Sequence, residues 1–144
     1  MRLFLRVLLE HETGESAPGK VYLERLLEAA RKAGPVQMLA SALTSSAITA
    51  IARITGVPER LEIAEATAEA VLREPPVTPL FAMITKAGLA LLAVQTGDQA
   101  AAAEHHANLL GQRGTMTWTV SSVDRLFGLL SQTMGDLDQA TVHF

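Results

Sequence analysis

The chain has 144 residues, 12 basic and 15 acidic side chains for a formal net charge of −3, and no cysteine. That length can bury a sizeable core. The charge balance argues against the concentrated basic face that direct nucleic-acid binding requires, and the lack of cysteine removes disulfides and cysteine-based zinc sites.

Hydrophobic residues make up 49% of the chain and aromatics only 4%. The apolar content is therefore mainly Ala, Leu, Val and Ile. Ala and Leu favour helix, and small Ala side chains let helices approach closely. From the N-terminus, the spacing predicts a first helix over 2–13. Its apolar stretch is broken by Arg6, and Glu10, His11 and Glu12 stand where a signal peptide would have small residues. A second helix over 18–33 sets Leu23, Leu26, Leu27 and Ala30 on one face, with Glu24, Glu28, Arg31 and Lys32 largely opposite. Helices over 35–55 and 58–74 follow. The first of these is nearly all apolar or hydroxylic, which marks a helix covered on all sides. The second carries Leu61, Ala64, Ala68, Val71 and Leu72 as its stripe, and Pro58 suits its first turn. The next pair is expected at 78–96 and 98–112. Its apolar run from Leu80 to Val94 is interrupted by Lys86 and short for a bilayer, so no membrane span is expected. The last pair is expected at 118–134 and from Asp136 to Phe144.

These elements repeat. Gly14, Gly56, Gly97 and Gly135 each follow Thr or Met at the end of a helical stretch, at spacings of 42, 41 and 38 residues. Each stands where a helix C-terminus takes a left-handed residue. Asp98 and Asp136 follow as N-caps, and Gln139 lies three residues after Asp136, as in a capping box. A near-constant period of this length marks stacked helix pairs. The fold class is all-α, an α–α superhelix of about three and a half helix-turn-helix repeats over residues 1–144, read as one open-ended array or a fragment of one.

At the last repeat the chain resembles a tetratricopeptide repeat (TPR), whose pattern is W-x2-L-G-x2-Y followed by A-x3-F. Here the stretch reads Asp124-x2-Phe127-Gly128-x2-Ser131, then Ala140-x3-Phe144. Gly128, Ala140 and Phe144 match, Phe127 substitutes for Leu, and Asp124 and Ser131 depart. The third repeat matches less well, through Leu89-Ala90 and Ala102-x3-His106. The resemblance implies a close crossing of the paired helices at Gly128 and Ala140. Repeats of this longer period, with phrases such as Arg125-Leu-Phe-Gly-Leu-Leu, are similar to the C-terminal arrays of bacterial LuxR-type transcriptional regulators and class III adenylate cyclases. In those proteins such arrays sense and contact other proteins, while the chemistry lies in other domains. No Walker loop, cyclase motif or helix-turn-helix signature occurs in this sequence.

No enzyme, cofactor or metal is expected. Adjacent His105 and His106 point about 100° apart on a helix and cannot comfortably share one ion; one ring is expected to face the core with its nitrogens satisfied. Ser41, Thr44, Ser45, Ser46 and Thr49 form no nucleophile elbow and suit small contacts between crowded helices. Gly111 to Gly114 follows a helix, the wrong side for a phosphate cradle. Trp118, the sole Trp, is expected to plug a gap between repeats rather than anchor a partner. TPR geometry points Ser46, Arg53, Gln95, Ser122, Arg125 and Gln132 toward a groove along the first helices of the pairs. The function implied is a protein-interaction or regulatory scaffold of a bacterial signalling or transcription-regulating system, in the cytoplasm. Its partner is a protein or peptide, and the array is expected to form homo-oligomers, most simply homodimers, through its ends. The alternative is a small-molecule sensor holding an apolar ligand within the array, which would need a large cavity.

Overall fold

Helix formation follows the apolar stripes and their caps. The computed structural model describes residues 1–32, 35–74, 77–115 and 122–144, and these form eight α-helices and no strand. They are α1 (Arg2–Glu12), α2 (Ser16–Arg31), α3 (Pro35–Thr55), α4 (Leu61–Arg73), α5 (Pro79–Thr96), α6 (Gln99–Leu109), α7 (Val123–Met134) and α8 (Leu137–His143). A short 3-10 turn, Leu110–Gln112, ends α6. The protein is all-α, as the composition and periodicity predict.

The punctuation is where the sequence places it. Gly14, Gly56, Gly97 and Gly135 all have positive φ, from 68° to 84°. The Asp98 carboxylate accepts from the Ala101 N–H at 2.9 Å, and the Asp136 carboxylate from the Gln139 N–H at 3.0 Å. The capping box at Asp136 is half-built: the Gln139 side chain accepts from the Ser131 hydroxyl at 3.3 Å. Two helix starts differ by three residues or more. The helix expected from Pro58 begins at Leu61, because Arg60 before it takes a left-handed φ of 64°. The helix expected over 118–134 begins at Val123, because Ser122 before it is extended and serves as the N-cap.

Each helix packs on the next in the chain, and each odd-numbered helix also packs on the following odd-numbered one: α1 on α3, α3 on α5 and α5 on α7. The most extensive of these contacts is α3 on α5. It is made by small and hydroxylic residues. Every residue from Ser41 to Ala50 is buried. Gly88 of α5 lies directly over Ser45 and Ser46: a Cβ at position 88 would meet the Ser46 hydroxyl at 3.0 Å and the Ser46 Cα at 3.4 Å. The Ser46 hydroxyl meanwhile donates to the Ile84 carbonyl at 3.0 Å, tying the two helices together.

Two apolar clusters lie on either side of this crossing. One joins Phe4, Val7, Leu23, Leu26, Leu43, Ile48, Val71 and Ile84. The other joins Ala87, Leu91, Leu109, Val123, Leu126, Phe127 and Leu130. Helix α5 contributes to both. Helices α3 and α5 are also long and apolar enough, by length and composition alone, to cross a membrane. In α3 that apolar window is 67% buried inside the protein, so its hydropathy is accounted for by the core it occupies.

The close approach expected at Gly128 has a different character. A Cβ there would meet only the far end of the Phe144 ring, at 2.8 Å, rather than a helix backbone. That ring is 67% exposed and free to move aside. Replacing a mid-helix Gly by Ala raises helix propensity by about 1 kcal/mol. At Gly128 most of that gain is retained, so Gly128→Ala is expected to raise the denaturation midpoint. At Gly88 the new methyl displaces a hydroxyl whose bond contributes about 1 kcal/mol, so Gly88→Ala is expected to be no more stable than the wild type. Urea denaturation of the two variants side by side checks the order.

Candidate functional site

The six polar residues predicted to share a groove separate into different environments. Ser46 is fully buried and donates to α5 as described, so it is a helix-to-helix contact and not a groove residue. The small side chains around it let α5 press onto α3, which closes the face that repeat geometry had left open. Arg53, two turns further along α3, is exposed. Ser122 is the N-cap of α7 and accepts from the Arg125 N–H at 3.2 Å, which sets Arg125 in the first turn, also exposed. Gln95 is half-buried in the last turn of α5, and Gln132 is exposed in the last turn of α7. Neither glutamine has a hydrogen bond to an arginine among the described residues.

One of the six acts on another. The pKa of Arg53 is lowered, first by partial burial and then by the positive field of Arg125. Arg53 nevertheless remains charged at neutral pH, since arginine starts from a very high pKa. Neither forms an ion pair among the described residues, where the four pairs are Arg6–Glu10, Lys32–Glu28, Arg60–Glu24 and Arg73–Glu69. Two uncompensated cations from α3 and α7 are the arrangement an anionic group would relieve.

The histidines form a second cluster. His106 packs edge-on against Phe127 with ring centroids 4.8 Å apart. His143 of α8 approaches the same Phe127 at 5.4 Å and His106 at 6.5 Å. The guanidinium of Arg113 lies 5.9 Å over the Phe127 ring. The satisfied ring expected here is not what occurs: Nε2 of His106 is buried without a hydrogen-bond partner among the described residues. Burial lowers its pKa, and His143 and Arg113 lower it further against a smaller opposing pull from Asp136. His105 is half-buried, and burial lowers its pKa in spite of Glu104 and Asp98. Among the described residues no three His, Cys, Asp or Glu side chains are grouped to hold a metal.

The other hydroxyls of the serine- and threonine-rich stretch of α3 are buried too, as is Thr85 of α5. Thr49 bonds to the carbonyls of Ser45 and Ser46 in the preceding turn, while Thr44, Ser45 and Thr85 have buried hydroxyls without a partner among the described residues. After α6, the Gly114 N–H is taken by the Asp124 carboxylate at 3.2 Å, so that turn is capped from within the chain. Trp118 lies outside the described residues.

One site was missed by sequence reasoning. His11 is 5% exposed, and its Nδ1 lies 2.7 Å from the Val7 carbonyl. Its ring occupies the space that a side chain at Gly19 would need. With Lys20, Ile48, Glu59 and Arg60 it lines a pocket of about 80 Å³. Small-molecule sites typically hold 300–1,000 Å³, so this one suits a few waters. The only sequence signal for it was a glycine early in the second helix. No protein-family model, curated protein or solved structure matches the chain.

A buried hydroxyl without a partner costs about 1–3 kcal/mol, and an isosteric apolar group removes that cost. Thr44→Val and Thr85→Val are therefore each expected to raise the thermal midpoint, by about 3 °C for each kcal/mol recovered. Differential scanning calorimetry of the two variants checks this.

Proposed function

We propose that the chain is a protein-interaction scaffold, built as a TPR-like superhelical array of helix pairs, that receives an acidic segment of a partner protein at Arg53 and Arg125. The reading of the architecture rests on the regular pattern in which odd-numbered helices pack successively while each even-numbered helix packs on its chain neighbours. Arrays of this kind offer an extended face built from corresponding helices. The single observation that carries the binding reading is the pair of arginines, from α3 and α7, that have no ion-pair partner among the described residues. The small-molecule alternative gains no support from an 80 Å³ pocket.

Large apolar side chains stand exposed on the first and last helices: Leu5 and Leu9 on α1, Leu137 and Val142 on α8, with Phe144 just beyond. Exposed apolar groups of this kind favour association, which supports the proposed homo-oligomer formed through the ends. The proposed setting, following the resemblance to regulator and cyclase arrays, is a cytoplasmic signalling or transcription-regulating system. The proposed role involves no catalysis.

Fluorescence anisotropy with a labelled oligo-glutamate peptide and an oligo-lysine control tests the binding reading. The acidic peptide is expected to bind and the basic one not to. The double change Arg53→Ala, Arg125→Ala is expected to weaken binding at least about ten-fold, equivalent to 1.4 kcal/mol, while leaving the far-UV circular dichroism unchanged. Binding should weaken with added salt, because the contact is exposed. Equal affinity for both peptides, or an unaffected double variant, would overturn it.

A further inference from the structure

Helix α8 is a seven-residue element held down by few groups: Ala140 is buried against α7, Gln139 accepts from Ser131, and the Phe144 ring lies over Gly128. Beside these contacts sits the ring cluster of His106, His143 and Phe127. We propose that this cluster is a proton-operated latch: protonation of His106, which faces His143 across Phe127, releases α8 from α7 and bares the Phe127–Gly128 surface.

The argument is one of charge and solvation. As neutral rings, His106 and His143 pack on the fully buried Phe127 as apolar groups. A proton on His106 creates a cation 6.5 Å, centroid to centroid, from His143 and in the field of Arg113, which lies over the same Phe127. If the added N–H is on Nε2, it is buried with no acceptor among the described residues. Asp136, the N-cap of α8, supplies the opposing negative field, but its carboxylate already accepts from the Gln139 N–H. Asp138 is exposed in the first turn of α8, and Glu104 and Asp98 act on His105 beside His106, where burial outweighs them. The α7 residues meeting α8, Phe127, Gly128 and Ser131, carry no charge. Release of α8 uncovers the His106 imidazole to water, where it binds a proton readily.

The sign follows from linkage. The docked pKa of His106 is depressed, so the released form binds more protons. Docking is therefore intact above the ordinary histidine pKa of about 6.5 and is lost as pH falls below it. Below it the opening equilibrium rises by at most about ten-fold per pH unit as the released form takes up the His106 proton.

Hydrogen–deuterium exchange of the full chain, read on the 137–144 segment and corrected for the intrinsic rate, tests the latch between pH 7.5 and pH 5. Protection is expected at pH 7.5 and a measurable loss at pH 5, bounded at about ten-fold per pH unit below 6.5. The double change His106→Phe, His143→Phe keeps the ring contacts and removes the titration, so its α8 should stay protected at both values. In parallel, NMR titration of the ring Cε1–H should give His106 a midpoint below that of an ordinary histidine, moving up in His143→Phe. The latch is overturned if α8 is unprotected at pH 7.5, if wild-type protection is the same at both values, if the double variant still opens in acid, or if His106 titrates normally.

Discussion

The contact between α3 and α5 is the one on which the rest of the molecule depends. It is made close by what is missing: no side chain at Gly88, and nothing longer than a hydroxyl or methyl at Ser45, Ser46 and Thr49. At that distance dispersion between backbones becomes effective, and one hydroxyl-to-carbonyl bond, Ser46 to Ile84, fixes the register. Both apolar clusters hang on the result, since α5 gives Ile84 to one and Ala87, Ala90 and Leu91 to the other. The same crowding leaves the hydroxyls of Thr44, Ser45 and Thr85 unanswered among the described residues, a cost accepted where bulkier apolar residues would push the helices apart.

How much of this was legible follows from what each feature depends on. Helix positions and caps rest on local chemistry, so Asp98, Asp136 and the glycines that end the helices could be read directly. The start of α4 could not, because Pro58 announces a first turn while the left-handed Arg60 delays it. Ser46 was misplaced because repeat geometry assigns a helix face but not how tightly its neighbour closes on it. Gly88 was passed over for the adjacent Leu89 and Ala90, which fit the repeat pattern; a lone glycine inside a long apolar helix was the better signal.

The arginine pair and the histidine cluster show the other limit. Arg53 and Arg125 were both expected on one face, and Arg125 lies near enough for its charge to act on Arg53. What the sequence lacks is the accounting of partners: that neither arginine has an ion pair among the described residues depends on where the carboxylates of other helices fall. The His106 ring is a similar case. Its surroundings come from the 3-10 turn, α7 and α8, and no residue within a turn of it reports that they converge.

The ion pair between Arg60 and Glu24, at 2.6 Å, joins the start of α4 to the middle of α2. Both side chains are well hydrated, so its contribution to stability is small, within about 1 kcal/mol. It joins two even-numbered helices whose other contacts run through α3, whereas α4 and α6 share no such pair among the described residues. The first two helix pairs are thus cross-linked in their outer layer as well as through α3, while the two apolar clusters are joined by α5 alone among the described residues.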